Sequence, residues 1–128
     1  MRTCTVIASS NASTLQGTYT FDFDSGTETQ SGADVWWEQQ TNTVRTLNPQ
    51  AGTAIVNLGA VDFGSLSCAD LRSEPYANVP IDGNDDATNQ LINGDVFVVR
   101  TNQGNYAKVQ IISYGYNLEL RFVTFRVS

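Results

Sequence analysis

Three groups of side chains in this chain have the types and spacing to do chemistry. Asp22 and Asp24 stand two residues apart in an alternating stretch, so on a strand their carboxylates project from one face, roughly parallel. If Asp34 or Glu38 lies on a neighbouring strand, a carboxylate cluster forms. Such a cluster suits a hard cation such as calcium, or a glycosidase acid/base pair at a separation of about 5–9.5 Å. The alternative is a charged outer face that keeps the strand soluble and blocks edge pairing.

The second group is Asp82, Asn84 and Asp86, an alternating D-x-N-x-D whose oxygens can converge on calcium. An EF-hand fails further along, because its sixth position is Ala87 rather than glycine and its twelfth is Asn93 rather than glutamate. A different calcium loop and a solvated turn built on Asx hydrogen bonds both remain open, and the turn is favoured. The third group is aromatic. Trp36 and Trp37 are adjacent, so on a strand one faces the core and the other faces out. An outward tryptophan can stack on a sugar ring, with Asp34, Glu38, Gln39 and Gln40 near enough to bond its hydroxyls. Tyr114 and Tyr116, in a Tyr-Gly-Tyr-Asn turn, offer a second platform.

What is missing narrows the chemistry further. The chain has no histidine, which removes Ser-His-Asp and Cys-His catalysis and His-containing zinc sites. Two cysteines cannot make a Cys₄ site, and no Gly-rich phosphate loop is present. The single lysine, Lys108, reads as a strand residue, exposed or ion-paired, rather than a Schiff-base nucleophile. A net charge of −6 disfavours nucleic acid and an anionic membrane surface as partners. There is no run of about 20 apolar residues to cross a membrane, and residues 5–8 are far too short for the core of a secretion leader.

These residues need elements to hold them. A chain of 128 residues is expected to be one domain, with 1–17 partly flexible and 8–17 an exposed loop. Alternation predicts a half-buried strand over 18–24, with Tyr19, Phe21 and Phe23 on one face, and another over 34–40. Short strands follow over 43–47 and 54–58, then one helical turn within 65–71, where Ser67 and Asp70 resemble a capping box. The last third is the most regular. It predicts strands over 96–101, 106–113 and 118–127, joined by a Gly104 turn and the tyrosine turn, as an antiparallel meander. The expected fold is therefore all-β: an antiparallel β-sandwich or open barrel with a C-terminal three-strand meander and at most one short helical turn. Cys4 and Cys68 either form a disulfide, worth about 4 kcal/mol by loop entropy in an oxidising compartment, or remain two thiols. Asn11-Ala12-Ser13 fits a glycosylation sequon, a triplet that also arises often by chance.

Residues 94–114, GDVFVVRTNQGNYAKVQIISY, with FVTFR at 122–126, resemble the end of the HmuY-like family of bacterial secreted or lipid-anchored proteins. About a quarter of the chain carries this resemblance. It implies an all-β fold and an extracytoplasmic location. It also implies haem capture through paired histidines or a methionine, and this chain carries none of these beyond Met1. Tyrosine could still approach haem iron, from Tyr19, Tyr76, Tyr106, Tyr114 or Tyr116.

The leading expectation is a non-enzymatic extracytoplasmic binding module. Its ligand would be a carbohydrate or another small molecule, met by Trp36 or Trp37, Asp34, Glu38, Tyr114 and Tyr116. No cofactor is expected, apart from calcium at Asp82, Asn84 and Asp86 as a possibility to test. The alternatives are an assembly subunit that oligomerises through exposed aromatics and strand edges, and a glycoside hydrolase using the carboxylates.

Overall fold

Among the described residues the chain forms ten strands, most of them built on alternating apolar and polar side chains, and all their pairings are antiparallel. The structure, a computed structural model, describes residues 3–128. Met1, the single methionine of the chain, lies outside them. The strands are β1 (Cys4–Leu15), β2 (Thr20–Asp22), β3 (Thr27–Glu28), β4 (Val35–Gln39), β5 (Arg45–Pro49), β6 (Ala54–Gly59), β7 (Ile81–Asp82), β8 (Val96–Arg100), β9 (Tyr106–Ser113) and β10 (Leu118–Val127). One sheet runs β1-β10-β9-β8-β6 and the other β3-β2-β4-β5-β7. The fold is a β-sandwich, and the C-terminal meander β8-β9-β10 is the middle of its first sheet. Among the described residues, no helix is long and apolar enough to cross a membrane.

The inward faces of both sheets meet in one apolar core. Phe21 and Phe23 of the second sheet's chain pack edge-on against Phe122 of β10, at 5.7 and 5.4 Å between ring centres. Phe23 also meets Phe97 of β8 at 6.3 Å. Such T-shaped pairs satisfy the ring quadrupoles and fix the spacing between the layers. Trp37 is fully buried, and its indole N–H donates to the Tyr116 carbonyl at 2.9 Å. Gly83 lies against that ring: a Cβ there would stand 2.5 Å from a ring carbon. We expect Gly83→Ala to destabilise the fold by about 1–3 kcal/mol, because a rigid indole cannot give way. A urea melt with an unchanged midpoint would contradict this.

The outer face of the first sheet is covered. A 3-10 turn (Phe63–Ser65) and α1 (Cys68–Arg72) lie over it and bury Phe63 and Leu71 against Val96 and Val98. The helix has the expected capping box, with Ser67 and Asp70 each accepting from the other's backbone N–H. The 3-10 turn is one helical turn more than the sequence predicts. Cys4 and Cys68 form a disulfide that ties the start of β1 to this cover. Lys108 is a strand residue of β9, as expected, but it is buried rather than exposed and bonded to carbonyls rather than ion-paired. It is 7% exposed, and its ammonium donates to the carbonyls of Phe63 at 2.8 Å and Leu66 at 3.0 Å. It thereby gives the carbonyls of the 3-10 turn and its C-terminal cap a charged donor, and burial lowers its pKa.

Two strand expectations need correction. Residues 8–15 are not a loop but most of β1, which pairs with β10 along its length with two register shifts. Its Ser, Thr and Asn side chains carry no apolar alternation, so backbone pairing rather than burial holds it. The strand expected over 18–24 shrinks to β2, because Thr18 takes a left-handed φ of 73° at one end. At the other end Asp22 Oδ1 accepts from the Asp24 N–H and starts a turn. Tyr19 consequently leaves the core face and is 49% exposed.

Candidate functional site

Among the described residues, no helix or 3-10 turn covers the outer face of the second sheet. β4 lies between β2 and β5, and Trp36 pairs with Thr20 on one side and Asn48 on the other. Val35 and Trp37 take the core face, so Trp36 and Glu38 point out and are half-buried. Glu38 is held in place: its Oε1 accepts from Asn48 Nδ2 at 2.9 Å and from Thr46 Oγ1 at 3.3 Å. Asn48 Nδ2 also donates to Thr46 Oγ1 at 2.9 Å. The indole N–H of Trp36 donates to the Thr18 carbonyl at 3.0 Å, which fixes the ring's orientation. An indole thus stands beside a braced carboxylate, an amide and hydroxyls, the functional groups a sugar ring needs.

The other aromatics expected at this site are elsewhere. Trp37 is a core residue and offers no surface. The Tyr114 hydroxyl donates to the Gly83 carbonyl and accepts from Arg45 Nη1 at 3.2 Å, while its ring meets Trp37 edge-on at 6.1 Å. Tyr116 is 54% exposed but lies across Gly17, where a Cβ would come within 2.5 Å of the ring. Their contacts run to Trp37, Gly17 and Gly83, not to Trp36.

Asp34 also leaves the tryptophan face. It is fully buried and joins Asp22 and Asp24, with one oxygen from each within 4.8 Å of the others. This is the cluster the sequence made conditional on strand placement. Asp34 Oδ2 accepts from the Phe23 N–H at 2.8 Å, and Oδ1 from the Asn102 N–H at 2.9 Å and Thr53 Oγ1 at 3.3 Å. Asp24 Oδ1 accepts from Thr101 Oγ1 at 2.9 Å and Asn105 Nδ2 at 2.8 Å. Burial pushes the Asp34 pKa up to about 7; the two N–H donors oppose the rise, and the charges of Asp24 and Asp22 add to it. Asp24 is raised too, mainly by burial, against the Asn105 and Thr101 hydrogen bonds. Its Oδ2 is buried without a partner among the described residues. With Asp34 and Asp24 both raised and this close, the pair favours sharing a proton. The group acts as a clamp between the β8–β9 turn and the loops of the second sheet. Asp34 itself, fully buried, cannot meet a glycosidic bond, while Asp22 and Asp24 are half-buried.

The polar loop at 82–90 forms turns. Asp82 Oδ1 accepts from the Asn84 N–H, Asn84 Oδ1 from the Arg45 N–H, and Asp86 Oδ1 from the N–H and hydroxyl of Thr88. One side-chain oxygen of each of these residues thus accepts hydrogen bonds from within the loop or from β5. Among the described residues, the one group of three acidic side chains close enough to share an ion is Asp22, Asp24 and Asp34.

Sequence reasoning missed one more feature, an open groove of about 620 Å³ lined by Thr18, Tyr19, Thr20, Glu28, Thr29 and Gln30. Nothing in the residue pattern announces the left-handed Thr18 that creates it. Searches against family models, curated proteins and solved structures found no match. The class is therefore defined by architecture alone: an antiparallel β-sandwich with one covered and one open outer face.

Proposed function

We propose that this protein is a non-enzymatic binding module that holds a neutral carbohydrate on the open outer face of its second sheet. The observation that carries the reading is Trp36, set between Thr20 and Asn48 and beside a Glu38 braced by Asn48 and Thr46. The apolar face of a pyranose would lie on the indole while its hydroxyls bond Glu38 and Asn48. A chain of net charge −6 favours uncharged glycans over acidic ones. The Cys4–Cys68 disulfide supports an oxidising, extracytoplasmic setting, where such bonds persist. The likeness of the C-terminal strands to the HmuY-like family agrees with that setting, and rests on their sequence alone.

An array of neutral glycans tests this reading. The intact protein should retain at least one, Trp36→Ala should weaken it about tenfold or more, and Tyr116→Ala should leave it unchanged. An array with no response removes the proposal.

A second reading, a subunit that assembles through strand edges, is favoured by β1. This strand lies at the edge of its sheet, runs for twelve residues and carries no charged side chain to discourage pairing. Light scattering that shows a monomer at every concentration would dismiss it.

A further inference from the structure

We infer that the groove beside Tyr19 is a second subsite, which continues the Trp36 face and selects a linear, neutral oligosaccharide of two or more units. This rests on the reading of Trp36 as the primary sugar platform.

The groove's volume of about 620 Å³ lies within the range of small-ligand sites. Its lining decides the ligand class. Thr18, Thr20 and Thr29 supply hydroxyls, Gln30 an amide and Glu28 a carboxylate, with Tyr19 as the one aromatic surface. Among the described residues no lysine or arginine lines it, so an anionic ligand meets no counter-charge from them. One ring is too little apolar surface for a lipid-like ligand. The Glu28 carboxylate is already anchored: Oε2 accepts from the Gln16 N–H at 2.8 Å and Oε1 from Gln16 Nε2 at 2.9 Å. A carboxylate fixed by two donors keeps lone pairs for ligand hydroxyls but is a weaker lure for a cation. What remains is a neutral molecule rich in hydroxyls with one face able to stack on tyrosine.

Two contacts make the groove continuous with the Trp36 face. Thr20, which lines the groove, is the cross-strand partner of Trp36. The Trp36 indole N–H is bonded to the carbonyl of Thr18, another lining residue. The backbone adds an independent sign. Thr18 holds a φ of 73°, unfavourable for a β-branched residue. Its N–H donates to the Trp37 carbonyl at 2.9 Å, and the Tyr19 carbonyl accepts from the Trp37 N–H at 3.0 Å. The neighbouring strand therefore enforces the conformation, and its effect is to turn Tyr19 out of the core and into the groove. Local strain that presents a side chain to solvent is a feature of binding sites.

The test uses linear neutral oligosaccharides of one to six units, of the sugar best retained on the array. Affinity is read by calorimetry and by tryptophan emission, to which Trp36 contributes the ligand-sensitive part. In the intact protein, affinity should rise about tenfold from one unit to three. Tyr19→Ala should lose that rise and leave the single unit within about twofold, while Trp36→Ala should weaken every length. Tyr19 is exposed, so its variant should melt as the parent does. If Tyr19→Ala keeps the full length dependence, the second subsite is refuted and the Trp36 platform stands. If the intact protein binds no neutral sugar of any length, both fall.

Discussion

Replacing Asp34 by alanine is expected to lower the unfolding free energy by about 4 kcal/mol at pH 5. Three donors would lose their acceptor inside the sandwich: the N–H groups of Phe23 and Asn102 and the Thr53 hydroxyl. A buried donor left unpaired costs about 1–3 kcal/mol, with partial relief where water can enter. The loss is large because the Asp34 hydrogen bonds join the second sheet to the β8–β9 turn of the first.

The same residue sets a pH dependence of unusual sign. Its folded pKa of about 7 lies above the ordinary value of 3.8, so the fold favours the protonated acid. The stability this supplies is complete below about pH 4 and is lost as pH rises through 7. The total change is on the order of 4 kcal/mol, and the raised Asp24 and Asp95 act in the same direction. Asp70 and Asp86, held low by hydrogen bonds with Ser67 and Thr88, lose their contributions only in stronger acid. Urea melts should therefore show the midpoint falling from pH 4 to pH 8, and Asp34→Asn should flatten that slope. A flat or rising midpoint in the parent, or an alanine variant within 1 kcal/mol of it, would contradict the clamp.

Reducing the Cys4–Cys68 disulfide is the second large effect, about 4 kcal/mol on the loop-entropy model for a separation of 64 residues. The effect should also be local. The helix it anchors has five residues, too short to persist without packing. With the bond open, amide exchange should rise first in residues 63–72 and at the start of β1, and the Lys108 ammonium should lose its two carbonyl partners. A reductant that leaves both the midpoint and this exchange unchanged would show that packing alone holds the cover.

How much of this was legible in the sequence depended on side-chain alternation. The meander was readable because Ala107, Val109 and Ile111, then Leu118, Leu120 and Phe122, occupy one face without interruption, and Gly104 takes the positive φ its turn needs. The opposite facing of Trp36 and Trp37 followed from the same rule. β1 was not readable, because its uncharged polar residues look like a loop until β10 supplies a partner. Lys108 was misjudged because its partners are backbone carbonyls more than 40 residues away, in a turn with no strong signal of its own. The carboxylate clamp was half legible. Asp22, Asp24 and Asp34 could be named together, but Thr101 read only as the end of a strand, and Asn102 and Asn105 only as a hairpin turn. The Tyr19 groove was hidden because alternation puts Tyr19 with Phe21 and Phe23, and only the backbone at Thr18 breaks that pattern.

The most direct test of the account is a map of amide chemical shifts as the best-retained neutral oligosaccharide is titrated into the intact protein. The binding reading predicts saturable shifts at Thr20, Trp36, Glu38, Thr46 and Asn48, together with the Trp36 indole N–H, and none on the face covered by α1. Shifts confined to the loop at 82–90 or to the Tyr114–Tyr116 turn, or no saturable shift at all, would contradict it.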